Sequence, residues 1–328
     1  MYRLLAALFC FLLINSSAIG KPETLTVYTY RSFTSEWGPG PLIKKRFEVQ
    51  CQCQIDYVVS DDSGTLISQI RLEGKETKAD VIVGADYSLS AELISEKLIA
   101  PHNISIINLN LPNGWHDNYF VPYDYGYLAF IYDKNRLTNL PRTIKELAAN
   151  KNLTVIYEDP RTSSLGLALL LWWNQIYGSE TPALWKQLNS HTVSVTKGWS
   201  EAYGLFLSNE ADLVLSYTTS PAYPIYNKQE DRYRAVIFEE GNFLQIEVAA
   251  VMSHAKHPKL AQQFLAFLLS EAVQTILPRT QWMLPVKEYG KLPEEFSKLE
   301  QPTKVIHITP QKTFDMRKQW IKQWLQNS

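Results

Sequence analysis

The stretch Ser216-Tyr217-Thr218-Thr219-Ser220-Pro221-Ala222-Tyr223 sets aliphatic hydroxyls between two phenol rings, directly after the apolar run Leu213-Val214-Leu215. The apolar run predicts a buried strand ending at Ser216. Ser220-Pro221 then has the order of a helix cap followed by proline at the first helical position. A helix start at a strand end offers free N–H groups and the positive end of the helix dipole to an anionic or polar group, and Tyr217 and Tyr223 offer flat faces to a ring. Asp159-Pro160-Arg161-Thr162-Ser163-Ser164 and Thr196-Lys197-Gly198-Trp199-Ser200 repeat this design. Capped turns are common, so each alone is equally an ordinary connection. Together with Tyr30, Trp37, Trp282 and the acidic turn Asp61-Asp62, they suit one kind of ligand. Aromatic faces attract flat cations at roughly 0.5 to 2 kcal/mol per contact, a carboxylate adds charge complementarity, and the helix starts take a hydroxyl or phosphate. A flat cation with a polar or phosphorylated tail satisfies both halves.

Other chemistries find less support. No Gly-x-Ser-x-Gly is present and no serine has a placed histidine, so a nucleophilic hydrolase lacks its base. A secreted phosphate-ester hydrolase is the enzymatic alternative, and a glycosidase, which needs only two carboxylates, is never excluded by sequence. The six histidines show no metal spacing. A ferric-ion binder would want neighbouring tyrosines, but Ser216 precedes Tyr217. No metal and no cofactor are expected. The formal charge is -1, and nothing in that balance suggests nucleic acid.

Residues 1–20 have Arg3, an apolar run from Leu4 to Ile14, and small residues around Ile19. This is the pattern of a secretory signal cleaved after Gly20, and it predicts that the mature chain is exported and not anchored. Cys51 and Cys53 are the cysteines beyond it, and an oxidising compartment could join them; their spacing alone leaves the pairing open. The 308 residues after Gly20 exceed what one core usually holds, so two lobes are expected.

Strands and helices alternate through both halves, which predicts an α/β fold with ligand loops at the strand ends. Strands are expected at Leu25–Tyr30, 55–59 and 80–84, then at 154–157 and 193–195 in a second series. The long extended run Phe120–Tyr132 suits a first crossing between lobes, Leu244–Met252 a return strand, and Gln281–Val286 a third crossing. The lobes are assigned as 21–123 plus 247–285 and 124–246 plus 286–328. A last helix, opened by Thr309-Pro310, is expected to dock on the second lobe through Phe314, Ile321 and Trp324.

Five segments carry a resemblance: Leu25-Thr26-Val27-Tyr28-Thr29-Tyr30, Trp37-Gly38-Pro39-Gly40-Pro41, Asp159-Pro160-Arg161-Thr162-Ser163, Thr196 to Gly204, and Ser216 to Tyr223. They closely resemble the periplasmic thiamine-binding proteins of bacterial thiamine ABC transporters. The resemblance implies a two-lobed type II periplasmic binding protein fold. It implies binding of thiamine, its monophosphate or its diphosphate without chemical change, and delivery by a monomer to membrane permease and ATPase subunits. It further implies that Asp62 and Ser63 meet the ligand from the first lobe, with Tyr30 and Trp37 near the cleft. Ser163, Ser164, Trp199, Tyr217, Thr218, Thr219 and Ser220 would meet it from the second lobe, with Tyr223 and Trp282 flanking the rings. One departure bears on Ser63: the turn reads Asp61-Asp62-Ser63-Gly64 where the family pattern would put glycine directly after the aspartate.

Overall fold

The computed structural model describes residues 22–327, so the expected signal segment lies outside the described residues. Twelve strands occur among them: β1 Thr24–Tyr30, β2 Gln54–Ser60, β3 Val81–Asp86, β4 Ile99–Ala100, β5 Phe120–Asp133, β6 Val155–Glu158, β7 Thr192–Thr196, β8 Leu213–Tyr217, β9 Tyr233–Ala235, β10 Asn242–Met252, β11 Leu284–Pro285 and β12 Val305–Ile306. Their main order is β2-β1-β3-β10-β5-β8-β6-β7. β1 runs parallel to β2 and β3, and β6 runs parallel to β7 and β8. Each set forms the sheet of one lobe of a mixed α/β fold.

Two long strands join the lobes. β5 pairs with β10 over Phe120–Tyr127 and with β8 over Leu128–Tyr132. β10 returns beside it and pairs with β3 over Glu247–Val251. Nearly every residue of β5 is buried, because both of its edges and both of its faces are covered. β11 adds the third crossing through Leu284↔Tyr125. Where β5 and β10 pass between the lobes, Asp124 lies opposite Glu247, beside a bulge at Glu247/Val248.

The local signals explain most helix boundaries. The helix Ser63–Glu73 opens on a capping box in which Asp62 accepts from Gly64 N and Thr65 Oγ1 accepts from Asp62 N, and it stops at Gly74 with φ +55°. The helix Ser164–Tyr177 opens on Ser163, whose hydroxyl accepts from Leu165 N. It carries the buried Trp172 and Trp173 into the second lobe's core. The helix Gly40–Cys51 ends where Cys51 and Cys53 are joined by a disulfide, around Gln52 in the left-handed region. Two short helices, Ile144–Ala149 and Thr181–Asn189, add to the elements expected.

Two expectations need correction. The helix after β8 runs Ala222–Lys228 with Pro221 as its N-cap, and no side chain caps it. The Ser220 hydroxyl is instead spent backwards, on Ser216 Oγ at 2.6 Å and Tyr217 N at 3.1 Å. The last helix, Pro310–Leu325, docks through Trp320 and Trp324, while Phe314 is exposed. Its docking is also wider than one lobe. Trp324 Nε1 donates to Tyr157 OH at 3.1 Å in the second lobe, and Arg317 ion-pairs at 2.5 Å with buried Glu92 in the first.

Candidate functional site

The carboxyl ends of the two sets of strands face each other across the crossing strands, and the lobes touch there. Asp62 Oδ1 accepts the backbone N–H of Ser164 at 3.0 Å. A Cβ on Gly64 would come within 2.7 Å of Thr162 O, and one on Gly198 within 3.2 Å of Asp62 Oδ2. Only a closed arrangement brings these turns so near, and glycine permits the approach. Trp37, 45 % exposed, leans from the first lobe towards Trp199 on the second, with ring centroids 6.4 Å apart.

Between the lobes is a cavity of about 650 Å³, mouth included. Tyr30, Trp37, Asp62, Ser63, Ser164, Trp199, Tyr217, Ser220, Tyr223 and Trp282 all line it, so the structure brings these expected residues together. Ser163, Thr218 and Thr219 do not line it. Ser163 is used as the cap of its helix, and the two threonines are fully buried behind the turn with hydroxyls that have no partner.

The aromatic walls are held individually. Trp199 stacks on Tyr203 at 5.1 Å with planes 22° apart, and its Nε1 donates to Ser216 Oγ at 2.7 Å. Trp199 is the first residue of the helix Trp199–Leu207, so the strand-end turn fixes its backbone while Tyr203, one turn on, fixes its ring. Trp282 meets Tyr223 edge-on at 5.3 Å. Its φ of +58° is unusual for a bulky residue, and its Nε1, in a side chain only 7 % exposed, has no partner.

Ser32, Leu165, Tyr203, Glu247, Gln281 and Met283 also line the cavity and were missed. Glu247 matters most. Its Oε2 accepts Tyr30 OH at 2.7 Å, Gln281 Nε2 at 3.2 Å and Tyr123 OH. A signal for it existed: Leu244-Gln245-Ile246-Glu247-Val248 alternates polar with apolar inside a strand that is otherwise apolar after Asn242.

Glu247 belongs to a nest of buried acids with Asp62, Asp86, Asp124 and Glu158. Burial raises the pKa of all five, taking Asp86 to about 6 and Glu247 to about 7, with Asp124 and Glu158 pushed well above the ordinary carboxylate range. Their mutual repulsion adds to the effect of burial for Asp86, Asp124, Glu158 and Glu247. Tyr217, its OH on Gln245 at 2.8 Å, feels four of these carboxyls, and burial with their charge holds its phenol well above its usual value. Among the described residues no Lys, Arg or His nitrogen lies within 4.0 Å of any of the five. A cleft walled by rings, with the carboxyls of Asp62 and Glu247 in its lining and no protein cation beside them, can take up a flat, positively charged solute.

Two lobes joined by crossing strands, closing on a polar and aromatic cleft, are the architecture of an extracytoplasmic solute binder. The bacterial extracellular solute-binding protein family is matched over residues 41–275, and the chain belongs to that family. Within it, the chain is 48 % identical to the thiamine-binding periplasmic protein of Escherichia coli K12, over 95 % of each chain. A solved periplasmic thiamin binding protein superposes with a TM-score of 0.90 at 48 % identity, covering 94 % of this chain and 96 % of that one. An iron-bound protein from Pseudomonas aeruginosa superposes with a TM-score of 0.77 at 22 % identity, covering 94 % and 100 %, which is a likeness of fold alone.

Proposed function

We propose that this chain is the periplasmic binding component of an ABC importer and that its cleft takes up thiamine and its mono- and diphosphate for delivery to a membrane permease. The observation that carries this reading is the pairing of aromatic walls from both lobes with the cleft-lining carboxyls of Asp62 and Glu247, which have no cationic partner among the described residues. Thiamine is a flat cation, and both features stabilise it: ring faces through their quadrupoles, carboxylates through charge. The closeness to relatives named for thiamine binding supports the same ligand. Phosphate-bearing forms would extend towards the start of the helix Trp199–Leu207, which no side chain caps.

The protein binds its ligand without altering it. Tyr30, Trp37, Asp62, Ser63, Ser164, Trp199, Tyr217, Ser220, Tyr223 and Trp282 are the residues assigned to contact it. Ferric-ion capture is the weaker reading: the iron-bound protein of similar fold is 22 % identical, whereas relatives named for thiamine binding reach 48 %.

Calorimetric titration with thiamine, its monophosphate and its diphosphate tests the reading. One ligand per chain, with a rise in melting temperature on saturation, is expected. Absence of binding by all three forms would refute it, and release of inorganic phosphate from the phosphorylated forms would mark a hydrolase.

A further inference from the structure

β10 crosses the floor of the cleft, and the side chain it presents there is Glu247, 6 % exposed and lining the cavity. Three donors converge on its Oε2 from three separate elements: Tyr30 OH on β1, Tyr123 OH on β5, and Gln281 Nε2 just before β11. Such a cradle fixes a carboxylate and favours its charged form.

Its neighbour across the ladder is Asp124, 0 % exposed, with both oxygens lacking any donor. Two carboxyls facing each other in one interior do not both ionise readily. The donors are all on Glu247, so the charge stays there and the proton stays on Asp124. The other titratable groups facing Glu247 are Tyr30 on β1, Tyr123 on β5, Asp86 on β3, Tyr217 on β8 and Asp62 at its helix cap. All are acids, and none can serve as a counter-ion.

Asp62, the acid that sequence reasoning singled out, is already occupied by the amides of Ser164 and Gly64. On Glu247 all three donors go to Oε2, which leaves Oε1 for a ligand. We propose that Glu247 is a specificity-determining residue of this cleft, whose fixed carboxylate selects a cationic ligand over a neutral one of the same shape. The inference rests on the thiamine reading and refines it.

The test compares wild type and Glu247→Gln by titration with thiamine and with its neutral isostere, in which carbon replaces the positive ring nitrogen. Glutamine keeps an oxygen for the Tyr30 and Tyr123 hydroxyls. The preference for thiamine over the isostere should fall at least about tenfold in the variant, the lower end of the coupling between close charge pairs. An unchanged preference overturns the proposal while leaving the thiamine reading in place. Wild-type protein that binds no thiamine removes that reading and this proposal with it.

A second measurement needs only wild type, and so holds even if the variant does not fold. Wild type should bind thiamine at least about tenfold more tightly than the isostere, the lower end of the coupling between close charge pairs. Equal affinity for the two ligands would overturn the proposal.

Discussion

Asp62 Oδ1 and the backbone N–H of Ser164 meet at 3.0 Å across the gap between the lobes, although 102 residues separate them in the chain. The same oxygen also accepts Gly64 N at 3.3 Å, so one carboxylate both starts a first-lobe helix and holds the start of a second-lobe helix. Capping and closure are one structural event here. A negative side chain at the positive end of the helix Ser164–Tyr177 is favoured by the helix dipole as well as by the hydrogen bond.

Asp62→Ala should therefore cost stability and closure together. Loss of the cap is worth about 1 kcal/mol, read as a lower melting temperature of the unliganded protein. Loss of the Ser164 contact should weaken ligand binding by about tenfold, in line with a charge-assisted hydrogen bond of about 1.5 kcal/mol. Asp62→Asn, which keeps a capping oxygen, should retain the melting temperature. Equal melting temperatures for the alanine variant and wild type would show that the cap carries no load.

Gly64→Ala separates closure from folding. The added methyl would lie 2.7 Å from Thr162 O on the opposite lobe, a distance that real contacts do not tolerate. In an open molecule the same methyl meets nothing from that lobe. The variant should fold with an unchanged melting temperature when unliganded and should fail to contract on adding thiamine, as measured by small-angle X-ray scattering. Ligand-induced contraction equal to that of wild type would contradict the closed geometry.

Trp199→Ala should weaken thiamine binding by about tenfold, within the roughly 0.5 to 2 kcal/mol of an aromatic contact to a cation. Trp199→Phe should lose less, because a ring can still stack on Tyr203 while only the hydrogen bond to Ser216 disappears. Titration of both variants checks the order. A phenylalanine variant as weak as the alanine one would assign the effect to the indole N–H rather than to the ring face.

The acid nest makes the unliganded protein sensitive to alkali. Glu247 and Asp86 have folded pKa values of about 7 and about 6, above the ordinary carboxylate range. Between that range and pH 7 the folded state binds more protons than the unfolded state, so stability falls as pH rises through this window. The unliganded protein should melt at a lower temperature at pH 8 than at pH 5.5, and Glu247→Gln should flatten the profile by on the order of 2 kcal/mol. Bound thiamine should narrow the difference, since a cation favours the ionised form. An unliganded melting temperature that rises steadily from pH 5.5 to pH 8 would contradict this account.

Much of the architecture is legible in the residues. Alternation of β-rich and amphipathic segments marks the two series of strands and helices, and Gly74 and Ser163 mark helix ends through local chemistry. The uninterrupted burial of Phe120–Ile131 follows from a run with hardly a charge in it. Ser220-Pro221 misleads because cap and proline preferences are local, whereas the Ser220 hydroxyl finds better partners in Ser216 and Tyr217 within a tight turn. Phe314 misleads similarly: helical spacing names several faces, and only the position of the lobes selects Trp320 and Trp324 as the buried one.

Residue types and local spacing alone establish that this chain forms α/β elements, presents hydroxyl-rich turns at strand ends, and carries aromatic rings where a helix core would not put them. The folded chain decides which of those groups share a cleft. It sets Trp37 opposite Trp199, turns Asp62 towards Ser164, leaves Thr218 and Thr219 behind the wall, and brings Glu247, Asp124 and Asp86 together from three strands. The physical reason is that charge and desolvation act through space. A carboxyl in the middle of a strand has no neighbour in sequence that reveals whether it will face water, a cation or another acid, so its role exists only once the strands have crossed.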